Sequence, residues 1–324
     1  MGHDHLDNLA LRYHKFGDPR AVLTMDSSQT GRCAPDMLRV AMRYAPINPS
    51  DLIPITGAYR HLILPPMTAG YEGFGTVVSA PATLAEMIGR RVLPLRGSGT
   101  WQRYVDCDPH LAVPVPDDIP DTLAARAYIN PVSAYHMLRL CPVAGKHVII
   151  TGAGSFIAAL LAQWAQARGA TRVTGIYRTA VRRDWLASLG VDPLAENDMA
   201  AIKATAKNAD IAFDAVGGPV GAAVLGNMPL GAEFVSYGLL SGQPLFPPAG
   251  TVAAYRRFHL RDVLRDQSTA EWQAGFRQIW PQLRIAQLPG TEVFPLAQWH
   301  DALDMFETPG RAFKPLLDLG DTPT

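Results

Sequence analysis

The chain has 324 residues, with 29 lysines and arginines against 29 aspartates and glutamates, 48% apolar and 18% charged residues. That length predicts two domains of ~150 residues each, and the balanced charge excludes a general affinity for nucleic acid or acidic membranes. No segment reaches the ~18 uninterrupted apolar residues of a membrane span. The start, MGHDHLDNLALRYHKFG, lacks the apolar run of a signal peptide, so a soluble cytoplasmic protein is expected.

The first ~120 residues are rich in proline and carry short β-like runs at Met37–Tyr44, Gly75–Ser79, Arg91–Leu95 and Leu111–Val115. Glycine and proline punctuate them, which predicts an irregular β domain. Within this region Ala45–Tyr59 reads APINPSDLIPITGAY, and Gly70-Tyr71-Glu72-Gly73 follows. A polar turn, Asn48-Pro49-Ser50-Asp51, thus precedes a tyrosine flanked by small residues. A phenol at the rim of a pocket can protonate a carbanion. Taken alone, such a tyrosine is more often a half-buried structural residue.

Prolines and aspartates crowd together at Pro114–Pro120, marking a boundary, and the texture then changes. His147–Thr151 (HVIIT) is a continuous apolar run suited to a central parallel strand, and Phe156–Arg168 predicts a helix ended by Gly169. Arg172–Tyr177 reads as a second strand and Ala180–Leu189 as a second helix. Further strands are expected at Asp210–Val216 and Ala232–Tyr237. Strands alternating with helices predict a doubly wound α/β sheet. The expected domains are 1–121 with 268–324, and 122–267; Asp321–Thr324 is expected to fray.

The first strand-to-helix turn is Thr151-Gly152-Ala153-Gly154-Ser155-Phe156-Ile157-Ala158. Small residues there let backbone approach a pyrophosphate at the helix N-terminus, although many such turns bind nothing. After the second strand comes Arg178, with Arg182 and Arg183 a turn later and no acid until Asp184. An acid at that place would hold a ribose 2′-hydroxyl, whereas guanidinium matches a 2′-phosphate, which favours NADPH over NADH. The other reading is a solvated basic helix start. Cys33, Cys107 and Cys141 are far apart, giving no disulfide framework and no zinc cluster. The nine histidines show no i, i+4 pairing with a carboxylate that would build a metal site.

These segments resemble the medium-chain dehydrogenase/reductase superfamily. Within it they are most similar to the zinc-independent 2-enoyl thioester reductases and to quinone oxidoreductases. Gly99-Thr100-Trp101, Asn130–Tyr135, Val216-Gly217-Gly218 and Tyr237–Leu240 extend the resemblance, which runs from Leu11 to Leu317. It implies a Rossmann doubly wound parallel sheet plus a GroES-like irregular β-barrel catalytic domain, onto which the C-terminal segment packs back. It implies that Tyr59 is the catalytic proton donor. The cofactor-binding set it implies is Asn48, Asn130, Gly154, Ser155, Phe156, Ile157, Arg178, Tyr237, Gly238, Leu239, Leu240 and Lys314. Asn130-Pro131 also reads as a plain helix cap.

In the zinc enzymes of the superfamily a histidine typically occupies the place of Tyr71, and Asn48–Asp51 stands where a ligand cysteine is expected, so no metal is expected here. Phe156 and Ala158 fall where relatives carry glycine, and Asp262-Val263-Leu264-Arg265 replaces glycine and aromatic residues beside the substrate pocket. The resemblance also implies a homodimer paired through a sheet edge, for which Phe258–Leu264 is the run expected to serve. The function expected is NADPH-dependent reduction of an activated carbon–carbon double bond, most readily that of a 2-enoyl thioester. The alternatives are a quinone or small enone reductase and a protein that binds NADPH without catalysis. A carrier-bound substrate docking on Arg256, Arg257 and Arg261 is a further option; such a patch is more often a solvated face.

Overall fold

The computed structural model describes residues 5–96 and 99–320; Asp321–Thr324 lie outside them. By contacts the chain divides into two compact units. One holds residues 1–129, 268–280 and 290–324, the other 130–267 and 281–289. The first crossing therefore falls after Ile129, and a short piece, 281–289, belongs to the second unit.

In the second unit six strands form one parallel sheet: β1 (His147–Thr151), β2 (Arg172–Tyr177), β3 (Asp192–Ala195), β4 (Ile211–Asp214), β5 (Glu233–Ser236) and β6 (Ala254–Arg257). Their spatial order is β3-β2-β1-β4-β5-β6. Chain order thus reverses direction between β1 and β4, which opens a crevice at the carboxyl ends of those two strands. Every residue of β1 is buried, as its unbroken apolar run requires of a strand covered on both faces. The helix α1 (Phe156–Ala167) is capped by Ser155, whose Oγ accepts the Ala158 N–H at 3.4 Å. It buries Leu160, Leu161 and Trp164, each leucine contributing about 1.5–3 kcal/mol.

Two of these strands were not anticipated. β3 is a four-residue edge strand holding Pro193, tolerable only at an edge because proline donates no ladder hydrogen bond. β6 reads Ala-Tyr-Arg-Arg and forms the opposite edge. The run Phe258–Leu264 is not an edge strand: Leu260–Arg265 is a helix whose Leu264 is buried. The predicted helix after β2 is divided into a 3-10 turn, Ala180–Arg182, and a short α-helix, Arg183–Ser188.

In the helix Ile129–Leu140, burial and then the charge of Arg139 hold the His136 imidazole down at about 4, against 6.5 ordinarily. The folded chain keeps this ring neutral at pH values where the unfolded chain has already bound a proton. Stability is therefore full above about pH 6.5 and is lost as pH falls toward 4. Melting temperatures measured from pH 7.5 to 4.5 should fall on the acid side, and His136→Gln should make that fall shallower.

The first unit is built on two sheets. Leu23–Gln29, Asp7–Tyr13 and Met67–Thr68 form one, with Asp7–Tyr13 central. In the larger sheet Leu38–Pro46 pairs with Phe74–Ser79 and Tyr104–Cys107, and also with Lys314–Asp318 from near the C-terminus (Leu316 opposite Pro46). This last pairing returns the end of the chain to the β unit. Leu38, Val40, Ile47, Ile55, Trp101 and Leu317 form its core. One consequence governs the site: Lys314 begins a strand next to the one that runs into Asn48.

Candidate functional site

The crevice of the second unit is built around two buried side chains. Thr151 ends β1 and Asp214 ends β4; the Thr151 hydroxyl donates to Asp214 Oδ1 at 2.6 Å. Thr151 Oγ accepts the Ala215 N–H at 2.9 Å, and Asp214 Oδ2 accepts the Gly217 N–H at 3.0 Å. The two turns that flank the strand-order reversal are thereby held in fixed conformations. Burial raises the Asp214 carboxyl above its usual range, while these hydrogen bonds work against the rise.

Gly152 has φ +61°, and a Cβ there would lie 3.2 Å from Leu240 Cδ1. A Cβ on Gly154 would meet Arg182 Cγ at 2.9 Å, so the Arg182 stem lies over the turn. The 237–240 segment closes on the same place, with the Leu240 N–H donating to Ala215 O at 2.9 Å. Beside these turns a cavity of about 320 Å³ is lined by Arg178, Glu196, Asn197 and Ser241 on its polar side, and by Val216, Pro219 and Val220 on its apolar side.

A dinucleotide fits this arrangement. The reversal of strand order, a helix N-terminus preceded by small residues, and an arginine-bearing cavity at the end of β2 are what an adenosine phosphate requires. The Tyr237 hydroxyl is fully buried with no hydrogen-bond partner among the described residues, and burial pushes its pKa upward. The structure thus brings together Gly154, Ser155, Phe156, Ile157, Tyr237, Gly238, Leu239 and Leu240 at one end of the sheet, with Arg178 in the cavity there. The Phe156 ring is buried, 7% exposed, instead of standing out over the turn. Asn130, at the start of this unit, is half-buried in the helix Ile129–Leu140.

In the first unit, Asn48 lies two residues past the strand Leu38–Pro46, in extended conformation, and precedes a helical turn, Pro49–Leu52. Proline is at home at that first position because its missing N–H would be unpaired anyway. Asp51, 2% exposed, reaches back: its Oδ2 accepts the Asn48 N–H at 2.7 Å and its Oδ1 the Tyr71 N–H at 2.9 Å. That single carboxyl ties the 48–51 turn to the 70–73 turn.

Glu72, 1% exposed, continues the network: it accepts from Asn48 Nδ2 at 2.7 Å and from the backbone N–H groups of Tyr128 and Ile129 at 3.2 and 2.7 Å. Lys314 Nζ donates to Asn48 Oδ1 at 2.6 Å and to Ile47 O at 3.1 Å. Arg126 is also buried, and burial lowers its pKa to about 10 against the pull of Glu72. Burial raises the Asp51 and Glu72 carboxyls and lowers the Lys314 ammonium. Two acids and two bases out of water balance in charge, the condition for keeping such groups buried. Asn48 and Lys314, expected at the dinucleotide, are here engaged with each other and with Glu72.

Tyr59 lies beyond this knot, half-buried on a series of turns. Gly57 enters them at φ +84°, and Tyr59 O accepts the N–H groups of Leu62 and Ile63 at 2.8 and 3.1 Å. Tyr71 is 39% exposed. Among the described residues no three His, Cys, Asp or Glu side chains converge as a metal site would need.

The sequence matches two family models, "Alcohol dehydrogenase GroES-like domain" over residues 34–117 and "Zinc-binding dehydrogenase" over 157–280. A mitochondrial enoyl-[acyl-carrier-protein] reductase of Xenopus tropicalis is 30% identical over 270 residues, 77% of this chain and 76% of that protein. The chain belongs to the medium-chain dehydrogenase/reductase superfamily. Among solved structures, a Bacillus thuringiensis protein with the provisional name NADPH:quinone reductase is 32% identical. It superposes with a TM-score of 0.90 over 97% of this chain and 99% of that one. Etr1p, solved with NADP and crotonyl-CoA, shares the fold at 18% identity and a TM-score of 0.83, over 97% and 100% of the two chains.

For this member of the medium-chain superfamily, sequence reasoning overlooked three features. Glu196 shares the cavity with Arg178, although it follows an edge strand too short to be read. Arg182 packs on Gly154, a contact between turns far apart in sequence. The buried Asp51–Asn48–Glu72–Lys314 network was visible only as motif letters, since nothing local says that residue 314 lies beside residue 48.

Proposed function

We propose that this chain reduces activated carbon–carbon double bonds with NADPH, and that its substrate is a 2-enoyl thioester. The observation that carries the reading is the crevice of the second unit, with Arg178 in its cavity, in a chain whose first unit holds Tyr59 behind the Asn48–Asp51 turn. The kinship to a protein named as an enoyl-[acyl-carrier-protein] reductase supports the thioester. Similarity to a protein named for NADPH and quinone favours the second reading, reduction of a quinone or small enone.

When bound, NADPH would supply a hydride for the β-carbon of the substrate. The first-turn end of α1 and the small residues of its preceding turn would hold the pyrophosphate, and Arg178 the 2′-phosphate. The Tyr59 hydroxyl would give its proton to the α-carbon, so that one hydride and one proton saturate the double bond. No step of this reading requires a metal ion. Its test is NADPH oxidation with crotonyl-CoA, simple enones and quinones. Higher kcat/KM for the thioester supports the main reading, and a quinone preference replaces it with the second.

Arg178→Ala should weaken NADPH much more than NADH, because only the 2′-phosphate makes the charge-assisted contact. The expected difference is about 1.5–3 kcal/mol. Titration calorimetry showing equal losses for both would remove Arg178 from this role.

A homodimer is part of the same proposal. β6, a charged four-residue edge, leaves ladder groups that a second copy would cover. Sedimentation at micromolar concentration should give two chains per particle; a monomer would contradict it.

A further inference from the structure

The cavity beside Arg178 contains a second charge, of opposite sign. Glu196 follows β3 directly, and its N–H donates to Tyr177 O at 2.8 Å. That bond fixes the chain after β3 against the residue before Arg178. Both side chains line the same cavity of about 320 Å³, and Glu196 is half-buried there. No ion pair or hydrogen bond joins or occupies the two side chains among the described residues. Each is left to act on whatever enters.

We propose that Glu196 is a specificity-determining residue of the dinucleotide site, opposing Arg178 in the choice between phosphorylated and unphosphorylated ribose. This rests on the reading that the cavity holds the adenosine end of the cofactor. A carboxylate accepts hydrogen bonds and donates none, so it suits the free 2′- and 3′-hydroxyls of NADH. Toward the 2′-phosphate of NADPH the same carboxylate is a like charge, and Glu196 is half-buried, so the repulsion is screened by water but not removed. The arginine alone would give a strong preference for NADPH. With the acid beside it the site takes both cofactors and discriminates between them less.

The alternative role for Glu196 is that of a solvated acid at the end of an edge strand. It predicts no effect on discrimination, so the two accounts separate in one experiment. Adenosine 2′,5′-bisphosphate, 5′-AMP, NADPH and NADH are titrated calorimetrically into the intact protein and into Glu196→Gln and Glu196→Ala. Neutralising the acid should raise the affinity ratio of 2′-phosphorylated to unphosphorylated ligand on the order of five- to tenfold, the order of effect of removing one partly screened unit charge. The gain should shrink as salt is added. A ratio that moves less than about twofold in both variants, while all four ligands still bind, overturns the role of Glu196 and leaves the cofactor reading intact. Failure of the unmodified protein to bind either NADPH or NADH overturns the cofactor reading itself, and this proposal with it.

Discussion

Tyr59→Phe should lower kcat for an enoyl thioester by about 10²–10⁴-fold, the range typical of a lost general acid, and leave NADPH affinity unchanged. The ring is half-buried, and its backbone is held by hydrogen bonds from Leu62 and Ile63, which the substitution does not touch. Phenylalanine keeps the packing and removes only the hydroxyl. The dinucleotide site belongs to the other unit, so cofactor titration serves as the control for folding. A solvent isotope effect on kcat identifies whether proton transfer limits the rate. Wild-type turnover by the variant, under conditions where proton transfer is limiting, would make Tyr59 structural and move the quinone reading ahead.

Lys314→Met should destabilise the chain by about 3–5 kcal/mol, the usual result of removing one member of a buried charge group. Lys314 is 8% exposed and its ammonium donates to Asn48 Oδ1 and Ile47 O, while Asp51 and Glu72 supply the opposing charge. Methionine fills nearly the same volume but removes the cation that acts on both carboxyls. Urea denaturation measures the loss. Adding Glu72→Gln should recover a substantial part of it, because the excess negative charge is then gone. A loss for Lys314→Met below about 1 kcal/mol, or strict additivity in the double variant, would show that the groups are not coupled. The expected consequence for function is indirect: this network holds the 48–51 and 70–73 turns, between which Tyr59 lies in the chain.

The parts of the molecule legible in the sequence are those governed by local pattern. The unbroken apolar run of HVIIT, the cap and amphipathic run of α1, and the Gly169 stop each follow from rules that act within one turn or strand. For that reason β1, α1 and β2 lie where periodicity put them, to within a residue. The edge strands β3 and β6 escaped because proline and paired arginines are what edges tolerate and what strand patterns exclude. Phe258–Leu264 misled in the opposite sense: Phe258 is buried ahead of a short helix, in which Leu264 is buried and Val263 exposed.

The candidate site was legible where a motif carries its own chemistry, as with Arg178 after β2 and the small residues of the first turn. It was illegible where the partner comes from afar. Lys314 meets Asn48 only because the last strand pairs beside Leu38–Pro46, and Glu196 meets Arg178 only because β3 lies next to β2. Phe156 looked disruptive as a letter, since a benzyl group replaces a glycine. With its ring buried, that residue presents only its backbone at the turn.

The central claim, hydride addition to the β-carbon of an enoyl thioester, is tested most directly by isotope transfer. The protein is incubated with crotonyl-CoA and NADPH deuterated at both C4 positions of the nicotinamide, and the thioester product is examined by mass spectrometry and NMR. The account predicts butyryl-CoA with one deuterium, located at C3, and an unlabelled hydrogen from solvent at C2. Recovery of unreacted crotonyl-CoA, in a sample whose NADPH is consumed rapidly by a quinone, would contradict it.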